Sequence, residues 1–291
     1  MSPSSPRRVE VDRRGRFYEV GEGESYPSVT NILGVLNKPA LVNWSATRER
    51  EMVIRAASAL YEDLPAAPKM SRAAYAATLL KRLGHEKAYT KELEKACEIG
   101  SQAHELIEWN LRKELGQRVG PQPQIGEKAG WAFAAYQRWR ERVSLKPLMI
   151  EQTVWSREHE YAGTMDWLGD VDVRSLLYDY PERLAAIPEN TRALVLGDWK
   201  TGKGIYEEAL LQNAAYVEAF TEMGHGEKGT IWGVIVRLPK VETDPDFEVR
   251  VIAPDQQAEL FTSFLAARDL WRFTQKHNAW MKAAKPVSEV A

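Results

Sequence analysis

The sequence predicts an α/β protein in which a β-sheet is flanked by helices. Through the first half of the chain, apolar residues recur at three- and four-residue spacing, which is typical of helices. From about Leu145 the pattern changes to alternation, which is typical of strands. Helical spacing then returns twice, once between strands and once at the end. The order of helices, strands, helix, strands and helix favours an α/β fold over an all-α or all-β fold.

The individual elements follow from the same patterns. Helices are predicted at 41–60, 71–83, 87–115, 125–143, 205–223 and 254 to about 284. Strands are predicted at 16–20, 147–156, 161–173, 193–200, 229–237 and 246–252. Ser28, after Pro27, has the character of a helix start. The segment 174–192 contains two prolines and is interpreted as an insertion at the tip of a hairpin.

Two parts are predicted along the chain. Residues 1–25 form a basic arm with a short strand, and 26–291 form one domain. In that domain, about 26–144 are helical, about 145–253 hold the sheet, and 254–284 are the last helix. The arm is rich in arginine at positions 7, 8, 13, 14 and 16. It could contact phosphates or be a solvated terminus, and the sequence leaves both possibilities open.

Composition limits the classes of function. Apolar residues make up 44% of the chain and charged residues 27%, which suits a globular protein with a substantial core. The net charge of −2 gives no overall excess of positive charge for binding nucleic acid. A nucleic-acid-binding protein of this composition would have to concentrate its lysines and arginines in one groove. Cys97 is the single cysteine, which excludes an internal disulfide and any four-cysteine cluster. With no long apolar run and no apparent signal peptide, we expect a cytoplasmic protein without a membrane partner.

The predicted strand 193–200 carries the first chemical signal. It is apolar until it ends in Asp198, Trp199 and Lys200. Because residues two apart in a strand share a face, the acid and the base project together while Trp199 faces the other way. The preceding strand contains Asp166, and pairing of the two strands would bring the carboxylates of Asp166 and Asp198 near one cation.

A second signal lies on the long helix at 87–115. His104 and Glu108 are four residues apart and share a helix face, and Gly100 leaves that face open one turn earlier. An imidazole with two carboxylates is a reasonable ligand set for a divalent metal. On its own, His104 is more often a structural histidine. Gln212 and Tyr216 are again four apart, on the helix after the Asp198 strand, and are either packing residues or the lining of a substrate channel.

These motifs together resemble a known family. His104, the Gly163-Thr164-x-Asp166 segment, the Asp198-to-Gly202 segment and Gln212-x-x-x-Tyr216 occur in the order seen in RecB-type nucleases of the PD-(D/E)xK superfamily. The segment from Tyr26 to Thr30, with Trp44 after it, looks like the entry segment of stand-alone exonucleases of that group, including phage enzymes and the mitochondrial genome maintenance exonuclease.

The resemblance implies a restriction-endonuclease-like core with a helical N-terminal elaboration. It implies a DNA exonuclease acting on ends and single strands, with two Mg²⁺ or Mn²⁺ ions held by His104, Asp166, Asp198 and the carbonyl of Trp199. Lys200 would orient the attacking water and offset charge. Iron–sulfur relatives need four cysteines, so no such cluster is expected. The positions predicted to contact DNA are Gln212, Tyr216, Thr201, Lys203, Ser28, Thr30 and Trp44.

Two other functions compete with this interpretation. Gly197 to Lys203 matches GxxxxGK, the start of a phosphate-binding loop, and would indicate a nucleotide-binding protein. Gly204 stands where that loop needs Ser or Thr, so we expect no ATP requirement. A non-catalytic nucleic-acid-binding protein is the other alternative, but it would be expected to lack one of the four core residues, and all four are present.

Overall fold

The computed structural model describes most of the chain. The residues that it describes are 7–11, 15–21, 23–36, 38–63, 71–84, 87–244 and 246–283. The predicted basic-arm residues Arg13 and Arg14 therefore lie outside the described residues.

The helices and strands follow the predicted order. The helices are α1 (Val29–Leu33), α2 (Pro39–Asp63), α3 (Arg72–Leu83), α4 (Ala88–Glu114), α5 (Glu127–Arg142), α6 (Val173–Leu176), α7 (Pro181–Leu184), α8 (Glu207–Glu222) and α9 (Pro254–Ala283). The strands are β1 (Arg7–Val11), β2 (Gly15–Gly21), β3 (Glu24–Pro27), β4 (Leu145–Ser156), β5 (Tyr161–Asp172), β6 (Arg192–Lys200), β7 (Trp232–Arg237) and β8 (Glu248–Ile252).

The described chain divides into two compact units. The smaller unit is Asn37–Ser101, and the larger combines Met1–Leu36 with Gln102–Ala291. Within the smaller unit, Tyr75 donates its hydroxyl proton to the carbonyl of Ala57, and the backbone N–H of Tyr89 donates to Glu49. These contacts join α3 and the start of α4 to α2. Helix α4 continues into the larger unit, where its second half carries His104.

The larger unit contains a mixed five-stranded sheet in the order β4-β5-β6-β7-β8 among the described strands. Neighbouring strands are antiparallel except for β6 and β7, which are parallel because α8 connects them as a crossover. Apolar side chains of α1, α8 and α9 pack with residues of β4, β5 and β6 in one buried cluster. Helix α5 packs on the opposite face, so the prediction of an α/β sheet flanked by helices is confirmed.

Three tryptophans and a tyrosine fill the space between the sheet and α5. Trp199 of β6 lies with its ring centroid 5.1 Å from Trp139, 5.5 Å from Trp167 and 5.3 Å from Tyr136. Paired aromatic rings at these separations stabilise the core beyond their burial alone. Anchoring Trp199 on this face leaves Asp198, its neighbour in the strand, to project from the other face.

The N-terminal segment differs from the prediction. In place of an arm with one short strand, β1, β2 and β3 form an antiparallel three-stranded sheet. The single bridge from Ser28 to Ala162 and the hydrogen bond between the Tyr18 and Thr164 hydroxyls (3.0 Å) attach this segment to β5. The strand predicted at 16–20 corresponds to β2, whereas β1 and β3, five and four residues long, are too short for alternation to predict them. The predicted helix start at Ser28 is confirmed, because its side chain caps α1 through the N–H of Asn31.

The insertion at 174–192 also contains more order than expected. It holds the short helices α6 and α7, and the Arg174 guanidinium donates to the carbonyl of Leu184 at 3.2 Å. Four-residue helices are too short to leave a periodic signal in the sequence. Within the described residues, no helix has both the length and the apolar character that crossing a membrane requires.

Candidate metal-binding site

Three side chains that could ligate a metal ion converge at the middle of the β4-β5 hairpin. His104 on α4, Glu151 on β4 and Asp166 on β5 each offer one ligand atom, and these atoms lie within 4.8 Å of one another. His104 Nδ1 is 3.7 Å from Asp166 Oδ2. All three side chains are partly exposed, so solvent and a ligand can reach them. The predicted convergence of His104 with Asp166 is therefore present in the structure.

Sequence analysis missed Glu151. In the register of the hairpin, Ile150 faces Trp167 and Gln152 faces Met165, so Glu151 lies opposite Asp166. Its backbone is left-handed, with φ of 51°, which is unusual for a residue other than glycine. An alternating pattern gives no signal for such a residue, although a glutamate in the middle of an apolar strand is itself a reason to inspect it.

The alternation of β5 also breaks beside Asp166. Met165 and Leu168 belong to the same buried cluster although they are three residues apart, while Trp167 contacts Trp139 on the opposite face. A regular strand would place residues two apart, not three apart, on one face. The local irregularity of both strands therefore presents Glu151 and Asp166 to the same space.

The Asp166 carboxylate has a structural contact as well. Its Oδ2 accepts a hydrogen bond from the backbone N–H of Trp199 at 2.7 Å, beyond the last regular pair of the β5-β6 ladder, Trp167 with Gly197. A backbone donor aimed at a carboxylate makes a charge-assisted bond that fixes the side chain. Asp166 is thus held in place by the strand that carries Asp198 and Lys200.

Asp198 and Lys200 form a second, more buried group. Lys200 Nζ is 2.6 Å from Asp198 Oδ2, and the Asp198 side chain is only 3% exposed. The predicted sharing of a face by these two residues is confirmed. Asp198 is not one of the three ligands within 4.8 Å of one another among the described residues, so its role as a metal ligand, like that of the Trp199 carbonyl, stays a prediction.

Gln212 organises this second group. Its amide nitrogen donates to Asp198 Oδ1 and to the Tyr216 hydroxyl, both at 3.1 Å, and its carbonyl oxygen accepts from Lys200 Nζ at 3.2 Å. The neighbouring Asn213 donates to the carbonyl of Leu196 at 3.0 Å, which fixes α8 against β6. Gln212 therefore sets the positions of the lysine and of the aspartate.

Tyr216 reaches Gln212 by crossing over Gly163. A Cβ placed on Gly163 would lie 2.3 Å from Cε1 of the Tyr216 ring, which is far inside van der Waals contact. The glycine before Asp166 is thus required by the close approach of α8 to β5. Gln212 and Tyr216 are both buried, so their predicted contact with DNA stays a prediction.

Burial and like charge dominate the electrostatics of the carboxylates. Burial raises the pKa of Glu151 to about 8, and the nearby charges of Asp166 and Glu108 add to this increase. Burial likewise raises the pKa of Asp198 above its usual range, because Lys200 only partly offsets desolvation and the charge of Asp166. A cation among these groups would remove the repulsion that keeps protons on them.

Lys200 stays positively charged in this setting. Burial alone would lower the pKa of its ammonium group, but the charges of Asp198 and Asp166 outweigh burial and raise the pKa above its ordinary value. At neutral pH Lys200 is therefore a hydrogen-bond donor and a positive charge, and it cannot act as a base.

The remaining predicted contact residues lie in varied surroundings. Ser28 is buried and caps α1, and its hydroxyl is 3.1 Å from that of the exposed Thr30. Thr201 and Lys203 follow β6, and Lys203 is exposed. Trp44 lies on α2 in the smaller unit. Contact of these residues with DNA stays a prediction.

Comparison with known proteins gives no further guide. No known family model and no curated protein matches this chain. The functional argument consequently depends on the geometry and chemistry of the site itself.

The donor set fits a hard or borderline divalent cation. One imidazole and two carboxylates within 4.8 Å supply nitrogen and oxygen ligands. The two carboxylates suit Mg²⁺ and Mn²⁺, and the imidazole also suits borderline ions such as Zn²⁺ and Fe²⁺. Burial and the neighbouring carboxylates raise the pKa of Glu151 more than the positive charge of Arg112 lowers it, and a bound cation would lower this pKa.

Proposed function

We propose that the protein is a divalent-metal-dependent nuclease of the PD-(D/E)xK type that hydrolyses phosphodiester bonds in DNA. The observation that carries this proposal is a cluster of His104, Glu151 and Asp166 beside an ion pair between partly exposed Lys200 and buried Asp198. Metal-ligating carboxylates next to a fixed positive charge suit the cleavage of an anionic phosphodiester, where negative charge builds up on the phosphate oxygens.

In this proposal the three clustered residues bind the metal ion. His104, Glu151 and Asp166 would hold Mg²⁺ or Mn²⁺, with Asp198 close by. Such an ion polarises a phosphate oxygen and makes bound water more acidic at neutral pH. Water oxygen forms the new bond to phosphorus as the bond to the leaving oxygen breaks. The attacking water gives up a proton to solvent, and the leaving oxygen takes one from solvent.

Lys200 acts in this scheme through its charge. Its Nζ is oriented by Asp198 at 2.6 Å and by Gln212 at 3.2 Å, so its direction is fixed before substrate arrives. Such a preorganised donor can hold the attacking water or a phosphate oxygen without reorganising during the reaction. Gln212 and Tyr216 act as positioning residues for Lys200.

The finer features of the proposal come from the family resemblance. These are the restriction-endonuclease-like core, the preference for single strands, and cleavage from an end. The mixed sheet with α8 crossing between its parallel strands is compatible with such a core.

The geometry does not favour the phosphate-loop alternative. Gly197 to Lys200, the first half of the GxxxxGK match, belongs to β6, and Trp167 packs directly over Gly197. A phosphate-binding loop needs backbone N–H groups that curve around the ligand, and a paired strand does not offer them.

The test is cleavage of end-labelled single-stranded DNA in linear and circular forms, with Mg²⁺ and with EDTA. We expect Mg²⁺-dependent degradation of the linear strand and little cleavage of the circle. Asp166→Asn, purified in parallel, controls for contaminating nucleases and keeps an oxygen acceptor for the Trp199 N–H. Failure to cleave either form in Mg²⁺ or Mn²⁺ would contradict the proposal and favour a non-catalytic binding protein.

A further inference from the structure

A groove opens on the surface beside the metal-binding site. It has a volume of about 420 Å³ and lies between the last turns of α4 and the segment 118–123. Glu108, one turn after His104 on α4, lines this groove and also contributes to the raised pKa of Glu151. Glu108 therefore lies both in the wall of the groove and near Glu151 of the proposed ligand set.

The wall of the groove is fixed by hydrogen bonds. The indole N–H of Trp109 donates to the carbonyl of Gly120 at 2.9 Å, and Arg112 pairs with Glu108 at 2.6 Å and donates to Gln117 at 3.0 Å. Pro121 and Pro123 stiffen the opposite side. The groove is thus preformed, which reduces the entropy lost when a ligand binds.

The groove combines an aromatic ring with charged side chains of both signs, the acids Glu105 and Glu108 and the bases Arg112 and Arg118. Trp109 lines it, and Lys113 Nζ lies 5.0 Å from the centre of the Trp109 ring. Arg118 is exposed and makes no ion pair with any of the residues that the structure describes, unlike Arg112, which is neutralised by Glu108. An aromatic surface with a nearby free guanidinium is suited to a base and its phosphate.

We infer that this groove binds one nucleotide of single-stranded DNA adjacent to the scissile phosphate, with the base against Trp109 and a phosphate at Arg118. The inference rests on the proposed nuclease function. A site of a few hundred Å³ holds a ligand of this size. A strand whose scissile phosphate lies at the ligand set must cross the neighbouring surface, and the groove is lined by Glu105 and Glu108, which follow His104 on α4.

Binding is measured with a fluorescent single-stranded oligothymidylate, with Ca²⁺ in place of Mg²⁺ to prevent cleavage. Arg118→Ala should weaken binding about fivefold or more at low salt, and lower the slope of log Kd against log salt by about 0.7, the loss of one phosphate contact. Trp109→Ala should weaken it about five- to a hundredfold, and Trp109→Phe less, because a ring remains for stacking.

Lys146→Ala is the matched control. Lys146 is an exposed cation on β4 that, like Arg118, makes no ion pair within the described part of the chain, but it does not line the groove. Its removal should change the affinity by less than about twofold. Cleavage at saturating enzyme in Mg²⁺ should stay within about threefold of wild type for Lys146→Ala, because Lys146 belongs neither to the ligand set nor to the groove.

A second measurement avoids any effect of Trp109→Ala on the wall of the groove. Oligothymidylate with 5-iodouracil at successive positions is irradiated with the wild-type protein, and the cross-linked peptide is identified. One position should cross-link to Trp109.

The outcomes separate this inference from the proposed function. Suppose that wild type cleaves DNA, that the groove variants bind DNA like Lys146→Ala, and that no cross-link reaches Trp109. The inferred nucleotide site in the groove is then wrong, and the proposed nuclease function stands. If wild type binds the strand at the groove without cleaving it, the proposed nuclease function is wrong and the inferred nucleotide site stands. If wild type does not bind the strand, both are overturned.

Discussion

Glu151→Gln tests the electrostatics of the site without removing any packing. In the wild-type protein without metal, the pKa of Glu151 is about 8 when folded and near 4.5 when unfolded. Between these values the folded state holds a proton that the unfolded state has lost, so the free energy of unfolding falls as pH rises from 4.5 to about 8.

The size of this effect follows from the pKa values. Each pKa unit corresponds to about 1.4 kcal/mol, so the full increase would cost roughly 4 to 5 kcal/mol of stability at the alkaline end. Because solvent reaches part of the Glu151 side chain and screens its charge, we expect the measured free energy of unfolding to fall by only about 2 to 3 kcal/mol. Glutamine carries no charge at any pH, so Glu151→Gln should be more stable than wild type by this amount near pH 8, and little changed near pH 4.5.

The assay is urea unfolding in EDTA near these two pH values, followed by circular dichroism, with m-values checked for equality. Mg²⁺ should stabilise wild type near pH 8 more than the variant, and the variant should lose cleavage. Glu160→Gln is the matched control, because Glu160 is also a left-handed glutamate, with φ of 54°, but is exposed at 60% of its side chain. A Glu151→Gln protein that is less stable than wild type near pH 8 in EDTA would refute the reasoning.

Three further changes probe the rest of the site. Lys200→Ala should lower single-turnover cleavage about a hundred- to a thousandfold while DNA affinity in Ca²⁺ survives, and an unchanged rate would remove Lys200 from the chemistry. Gly163→Ala should displace Tyr216, lower the free energy of unfolding by about 1 to 3 kcal/mol and slow cleavage. Gly204→Ala is the control, because a Cβ at Gly204 meets no atom within 4 Å, and it should change neither property. Equal behaviour of the two variants would contradict the positioning role of Tyr216. Lys203→Ala should leave ATP-independent cleavage intact, with DNA binding that is weaker and depends less steeply on salt, because one phosphate contact is lost. ATP hydrolysis lost in this variant would support a phosphate loop.

Much of the fold was predictable because periodicity is strong where elements are long. The strands from 145 to 200 and the helices α4, α5, α8 and α9 agree with the predicted elements to within a few residues at each end. The placement of Asp198 and Lys200 on one face followed from the two-residue repeat of a strand. The three-stranded N-terminal sheet was not predictable in the same way, because its strands are short and β1 and β2 carry several arginines.

The parts of the site that the sequence did not predict depend on departures from regular geometry. Glu151 enters the cluster through a left-handed backbone, and the face of β5 changes beside Asp166. The role of Gln212 as a bridge between Asp198 and Lys200 depends on how α8 packs on the sheet. Such contacts arise from tertiary packing, which local patterns do not contain.

The most direct test of the central claim is Mn²⁺ binding measured by the electron paramagnetic resonance signal of the free ion, with cleavage assayed on the same samples. Wild type should deplete free Mn²⁺ and cleave single-stranded DNA. Asp166→Asn keeps the hydrogen bond from Trp199 but removes a charged ligand from the cluster, so it should lose both properties while remaining folded. Mn²⁺ binding and cleavage that are unchanged in Asp166→Asn would contradict the assignment of this cluster as the metal site of a nuclease.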